Sequence, residues 1–212
     1  MDKKKHLFKS APKTTPATGT SKGRRMDRRV QKTRLFLREA LSSLIREKCY
    51  ETIGVKEILD RANIGRSTFY MHYRSKDELL AGCVSEMLGQ ISPQSTSGRP
   101  QDKLLAFSLP ILEHHAHHRG AEPRQMGIRG QAVLHEQLRN IISERVSEQI
   151  EKSVFLKKWP AGIPPELLPQ YLASSFILVL NWWLRSNSRR TPKEVDAIFR
   201  SLVTPALASF RT

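Results

Sequence analysis

VKEILDRANIGRSTFYMHYRSKDELL, residues Val55 to Leu80, holds two short helical patterns about a tight turn, followed by a capped third helix. Val55, Ile58, Leu59 and Ala62 recur at helical spacing. Glu57 sits three residues after Gly54, where a glutamate accepts entering backbone amides. The first short helix is expected to end near Ala62. Asn63 tolerates the left-handed conformation, and Gly65 is read as giving the freedom to start a second helix at a steep angle. That is a helix-turn-helix corner. From Arg66 to Tyr73, Phe69 and Tyr73 stand four apart and face the core, which leaves Arg66, Ser67, Thr68, Tyr70 and His72 outside. Those outward groups suit the phosphates and base edges of double-stranded DNA. Ser75 then opens a third helix with Glu78 at its third position, and Lys76 lies where the positive helix end favours a phosphate.

Upstream, Val30, Thr33, Leu37, Ala40, Leu41, Leu44 and Ile45 form one stripe, predicting a helix to about Lys48 that braces the corner. Residues 1–27 are rich in Lys, Thr, Pro, Ser and Gly, lack helical periodicity, and read as a disordered basic tail. The formal charge of +16 is uneven: residues 1–29 hold ten Lys and Arg against two acids, and residues 30–90 hold ten against eight. Half of the excess is therefore in residues 1–29. A modest +2 on the helix-turn-helix region argues against a binder that grips nucleic acid by charge alone.

The second half is helical throughout by pattern. Leu80, Cys83, Val84, Met87 and Leu88 make the inner side of a fourth helix, and residues 91–100, ISPQSTSGRP, read as a linker. Leu104, Leu105, Phe107, Ile111 and Leu112 suggest another helix with a kink at Pro110. A Gly- and Pro-bearing break at 119–130 precedes a long helix over 131–155 with Val133, Leu134, Leu138, Ile141, Ile142, Val146 and Ile150 on its stripe. Between Pro165 and Ser186 apolar residues occur almost all round, so that helix must be covered on more than one face. Its apolar run falls short of the roughly 20 residues a bilayer helix needs, and no membrane span is expected. Thr191, Pro192 and Glu194 cap a last helix with Val195, Ile198, Phe199, Leu202, Val203, Ala206 and Phe210 on its stripe; Pro205 is expected to bend or break it.

Other chemistry is thin. Glu113, His114, His115, His117 and His118 cluster, and His114 with His118 have a metal-capable spacing on a helix. No HExxH, paired CxxC or phosphate-cradling glycine loop accompanies them, so they read as a solvated helix end and no metal or cofactor is expected. Trp182 and Trp183 read as core or dimer packing rather than as the wall of an effector cavity. Cys49 and Cys83, with no secretory segment, fit a reducing cytosol; Cys83 reads as an inert core thiol.

STFYMHYRSKDELL, with Thr33 and Arg34 and the EALSSLI stretch of the first helix, resembles the tetracycline-repressor (TetR) family of bacterial regulators over about Arg28 to Leu80. The resemblance implies an all-helical protein with three parts: a tail at 1–27, a three-helix DNA-binding domain at 28–90 and a helical dimerisation and regulatory domain at 91–212. It places Thr68, Tyr70, His72 and Lys76 on DNA, with Arg66 and Ser67 toward bases. Cys49, Gly54, Asn63, Gly65 and Ser67 depart from the residues usual in that family, so base preference is not inherited. LNWWLRSNSRRTPKEVDAIFRSLV is similar to the regulatory domain of a subgroup that includes the activator of a dihydroxyacetone-kinase operon. This implies pairing of the last two helices across a twofold axis, with a small molecule or a partner protein as effector. The expected function is cytoplasmic, sequence-specific regulation of transcription by a homodimer on a palindromic operator, chiefly repression. The alternatives are activation through a partner protein and a small-molecule enzyme.

Overall fold

The structure is a computed structural model that describes residues 21–91, 100–117, 126–152, 162–186 and 188–208, with backbone alone at 21–27, 100 and 101. All regular structure among the described residues is helical. Helix α1 (Ser21–Glu47) starts seven residues earlier than the tail boundary predicts. Residues 21–27 are mostly strong helix formers, and the amphipathic stretch behind them supplies the costly nucleus. Residues 1–20 of the expected tail lie outside the described residues. Leu37, Ala40, Leu41, Leu44 and Ile45 are buried as the stripe requires.

A single 3-10 turn, Tyr50–Thr52, leads to α2 (Val55–Ala62) and α3 (Arg66–Tyr70). Glu57 accepts from the Gly54 N–H at 2.9 Å. The corner between α2 and α3 is made by Asn63, at φ 52° and ψ 48°. Gly65 is ordinary extended backbone at φ −68° and ψ 150°, with open space where a Cβ would stand. Its expected special role is therefore not needed. Helix α3 is shorter than the predicted stretch to Tyr73, because the amides of His72 and Tyr73 both turn back to the Phe69 carbonyl. Helix α4 (Lys76–Gln90) is capped by Ser75, whose Oγ accepts from the Glu78 N–H at 3.2 Å. The Glu78 carboxylate reaches the Arg74 amide, one residue before the expected one.

Helix α4 belongs to two cores. Leu79 and Leu80 close the first with α1 to α3, while Val84 and Leu88 enter the second. That second core contains α5 (Pro100–Leu104), α6 (Ser108–His117), α7 (Gly127–Lys152), α8 (Leu167–Arg185) and α9 (Pro192–Ala208). The chain breaks between α5 and α6 at 105–107 rather than kinking at Pro110. Pro110 sits in the first turn of α6, where a missing N–H costs no helical hydrogen bond. Helix α7 begins at Gly127, with φ +61°, four residues before the predicted start. Gly130 lies inside its first turn because a Cβ there would meet the Tyr50 ring at 2.9 Å. The glycines that read as a break are a close approach between two regions.

Helix α8 is long and apolar enough to cross a membrane by length and hydropathy, which its sequence pattern does not suggest. Its Leu172, Phe176, Val179, Leu180 and Trp183 are instead buried in the second core, as the all-round apolar pattern predicts. Phe107, Phe176 and Phe199 meet there with ring centroids 5.3 to 6.0 Å apart. Edge contacts of that kind add about 0.5–1.5 kcal/mol beyond burial. Thr191 and Glu194 form the predicted reciprocal cap of α9, at 2.7 and 3.3 Å. The helix runs through Pro205 without ending. Ser108, fully buried, donates to Asp196, and Arg200 donates to the other Asp196 oxygen at 2.7 Å, fixing α9 against α6.

Candidate nucleic-acid interface

Five of the six expected contact residues share one outer surface. Arg66, Ser67 and Tyr70 are exposed, Thr68 and His72 half-buried, while Phe69 and Tyr73 are buried beneath them. A five-residue helix is too short to hold itself, so the Phe69 anchor positions it. Phe69 meets Tyr70 edge-on at 5.2 Å, and the Arg66 guanidinium lies 5.7 Å from the Tyr70 ring centroid. Arg66 is thereby oriented before any ligand arrives. Burial, then the charge of Arg34, pushes the His72 imidazole below its ordinary value, so it presents a neutral donor and acceptor at neutral pH.

Lys76 is turned differently. Its ammonium donates to the carbonyls of Tyr50 at 2.9 Å, Glu51 at 3.2 Å and Ile53 at 2.8 Å, and sits 4.6 Å from the Tyr50 ring centroid. An ammonium has three hydrogens, and all three are engaged. Burial, opposed in part by Asp77, pushes its pKa down. The next residue, Asp77, accepts from the Tyr50 hydroxyl and from Arg129 of α7 at 2.9 and 2.6 Å. Glu51 accepts from the Arg129 backbone N–H at 3.0 Å. The start of α4, the 3-10 turn and the start of α7 thus form one polar joint. Its partners stand up to 78 residues apart, and no spacing in the sequence pairs them.

Further cations lie outside the first core: Arg28, Arg29, Lys32 and Arg34 of α1, of which Arg34 acts on His72, and Arg74 just after α3. Two ion pairs brace the frame, Arg61 with Glu47 at 2.7 Å and Lys48 with Glu57 at 2.5 Å. Elsewhere, His114 and His115 are half-buried, Glu113 and His117 are exposed, and His118 lies outside the described residues. No group of three metal-ligating side chains occurs among the described residues. Burial pushes the Cys83 thiol up to about 12, far from a reactive thiolate. Trp183 is core, while Trp182 is exposed beside an open groove.

Residues 37–83 match the family described as bacterial regulatory proteins, tetR family. Over that segment the chain is similar to the DNA-binding part of that family, and the proteins it matches are named as transcriptional regulators. An uncharacterised HTH-type transcriptional regulator of Bacillus subtilis, YxbF, is 34% identical over 102 residues, which are 44% of this chain and 27% of that protein. The chain thus spans about a quarter of that relative's length. A TetR transcriptional regulator from Streptococcus agalactiae aligns over 85% of this chain and 98% of its own, with 27% identity and a TM-score of 0.51. A TetR-family regulator from Syntrophomonas wolfei aligns over 81% and 93%, with 16% identity and a TM-score of 0.55, a likeness of fold.

Proposed function

We propose that the protein is a cytoplasmic, dimeric transcriptional regulator that reads a palindromic operator through α3 and releases it when an effector favours another dimer geometry. The observation that carries this reading is the outer surface of α3 and the turn after it, where Arg66, stacked on Tyr70, stands with Ser67, Thr68 and His72 around the buried Phe69. Arg66 and Ser67 face base edges; Thr68, Tyr70 and His72 meet backbone and groove walls. Lys76 serves by holding the turn behind them. Dimerisation is assigned to the apolar residues left outside the second core, Tyr171, Leu178 and Trp182 of α8 and Leu202 of α9. The first three lie 7 and 4 residues apart on one helix face.

The C-terminal likeness to the dihydroxyacetone-kinase activator subgroup leaves activation through a partner protein as the second reading, carried by the Trp182 face and the capped α9. Selection of bound fragments from the source genome, followed by competition with random DNA, tests the first reading. A palindromic site bound by two copies with about 10³-fold preference or more is expected. Equal affinity for random duplexes overturns it. A reporter joined to the recovered site then gives the sign of regulation.

A further inference from the structure

Three hydrogen bonds set the relative heights of three helices. Helix α7 runs alongside α4 in the same direction, with Arg129 on Asp77 and Gln137 on Ser85 at 2.9 Å. Helix α8 runs the opposite way along α7, and Arg185, its last residue, donates to Gln131 at 2.8 Å. With a rise of about 1.5 Å per residue, Gln131 stands about 3 Å above Arg129. The end of α8 is therefore level with the first turn of α4. The connection from α8 to α9 leaves from that level, which is also the level of Lys76 at the start of α4, and has returned to Trp183 by Arg190.

This connection is strongly basic. Arg185, Arg189, Arg190 and Lys193 are exposed, and none is ion-paired among the described residues. The nearby acid, Glu194, is committed to capping Thr191, whose backbone and hydroxyl bonds hold it below the usual carboxylate range. Arg185 has a neutral partner in Gln131. The chain is also pinned: Trp183 Nε1 donates to the Arg190 carbonyl at 3.1 Å, and the Arg190 guanidinium lies 5.5 Å from the Trp182 ring centroid. Trp182, Ser186, Ser188, Arg189, Arg190 and the capping acid Glu194 line an open groove of about 530 Å³.

We propose that the α8–α9 connection is a second DNA-contact surface, with Arg189 and Arg190 meeting phosphates on either side of the operator's central minor groove. The inference rests on the dimer reading above. If Leu178, Trp182 and Leu202 pair with a second copy, the two connections meet at the twofold axis between the recognition helices. Recognition helices set in successive major grooves turn the intervening minor groove toward the protein at that axis. Its flanking phosphates, and the deepened negative potential of a narrow groove, match a paired arginine cluster. The Lys76 ammonium is engaged with carbonyls, so cations elsewhere on this level supply the phosphate charge.

The test uses the full chain, the recovered operator duplex and a salt series. Each substitution removes two phosphate contacts per dimer. Arg189→Ala with Arg190→Ala should therefore flatten the log–log slope of affinity against salt by roughly 3.6 at about 0.9 per contact. Preference for operator over random DNA should change little. Arg189→Lys with Arg190→Lys should restore the slope, since a point charge suffices for phosphate. An unchanged slope in a folded, dimeric Ala variant overturns the proposal, as does loss of the slope in the Lys variant. Saturable quenching of Trp182 by salicylate, with an unchanged slope, assigns the groove to a small anion instead and also overturns it. Failure of the wild-type protein to select any operator is a different result, which removes the regulatory reading itself.

Discussion

The two cores of the molecule are stabilised in different ways. Around the first core, α2 has eight residues and α3 five, both shorter than the roughly 12–15 an isolated helix needs. Caps, two ion pairs and the joint of Tyr50, Lys76, Asp77 and Arg129 therefore fix their angles around a small apolar centre. The second core is built from helices of 26, 19 and 17 residues, packed through Phe107, Phe176 and Phe199 with a polar knot at Ser108 and Asp196. Volume governs the second region, whereas polar geometry governs the first. Helix α4 enters both cores and joins them.

The largest expected effect follows from volume. Phe176→Ala removes a fully buried ring that touches two others and should cost about 3–5 kcal/mol of unfolding free energy. Denaturant melts with an unchanged slope would measure it. A loss below about 1 kcal/mol would mean that the bundle collapses around the gap and is less tightly packed than the contrast requires.

Next comes assembly. The sequence pattern groups Phe199, Leu202 and Val203 near one helix-pair interface, and the structure separates them. Phe199 and Val203 are fully buried within the protomer, while Leu202 is 59% exposed. Phe199→Asp should therefore unfold the chain by burying an unpaired charge, whereas Leu202→Asp should leave a folded monomer that no longer holds the operator. Sedimentation with circular dichroism separates the two outcomes. A dimeric Leu202→Asp protein would move the interface off this face of α9.

The features legible in the sequence are those settled within a few residues. Ser75 with Glu78, Thr191 with Glu194, Asn63, and the spacing of Phe69 and Tyr73 each carry a donor, an acceptor or a ring at a fixed local offset. The positions that resist such reading depend on distant neighbours. Gly127 and Gly130 resemble a loop because nothing local announces Glu51 or Tyr50 packed against them. Pro110 resembles a kink because the true break precedes it by only a few residues. The freedom that Gly65 could offer is supplied by Asn63 instead. The exposure of Arg66, Ser67 and Tyr70 over a buried Phe69 follows from helical spacing, but the inward turn of Lys76 depends on carbonyls at least 23 residues away.

Lys76 offers a finer test of the polar side of the contrast. Lys76→Met removes three bonds to the turn carbonyls while keeping the apolar stem. The expected result is faster amide exchange at 50–53 and weaker binding to all duplexes, with an unchanged salt slope. A phosphate role predicts otherwise: without the two ammonium–phosphate pairs of a dimer, the slope would flatten by roughly 1.8 with no change in exchange.

The smallest effect is one of pH. Burial raises the Asp77 carboxyl, but the Tyr50 hydroxyl and Arg129 outweigh it and hold the group below its ordinary 3.8. A carboxyl depressed on folding contributes stability above its unfolded value and loses it as pH falls through the folded one. The window is therefore below about pH 4. His72 and His135, held down chiefly by burial, act in a separate window that opens as pH falls below about 6.5. Glu47, Glu57 and Glu194 are also depressed and share the acid window, so the useful quantity is a difference between two proteins. Asp77→Asn keeps an acceptor for Tyr50 but loses the charge that faces Arg129. Wild-type stability minus that of Asp77→Asn should be constant from about pH 5 to 8 and shrink below about pH 4. Curves that stay parallel through that window would reduce the Asp77–Arg129 contact to a solvent-screened pair and leave Lys76 as the principal tie between α4 and the turn.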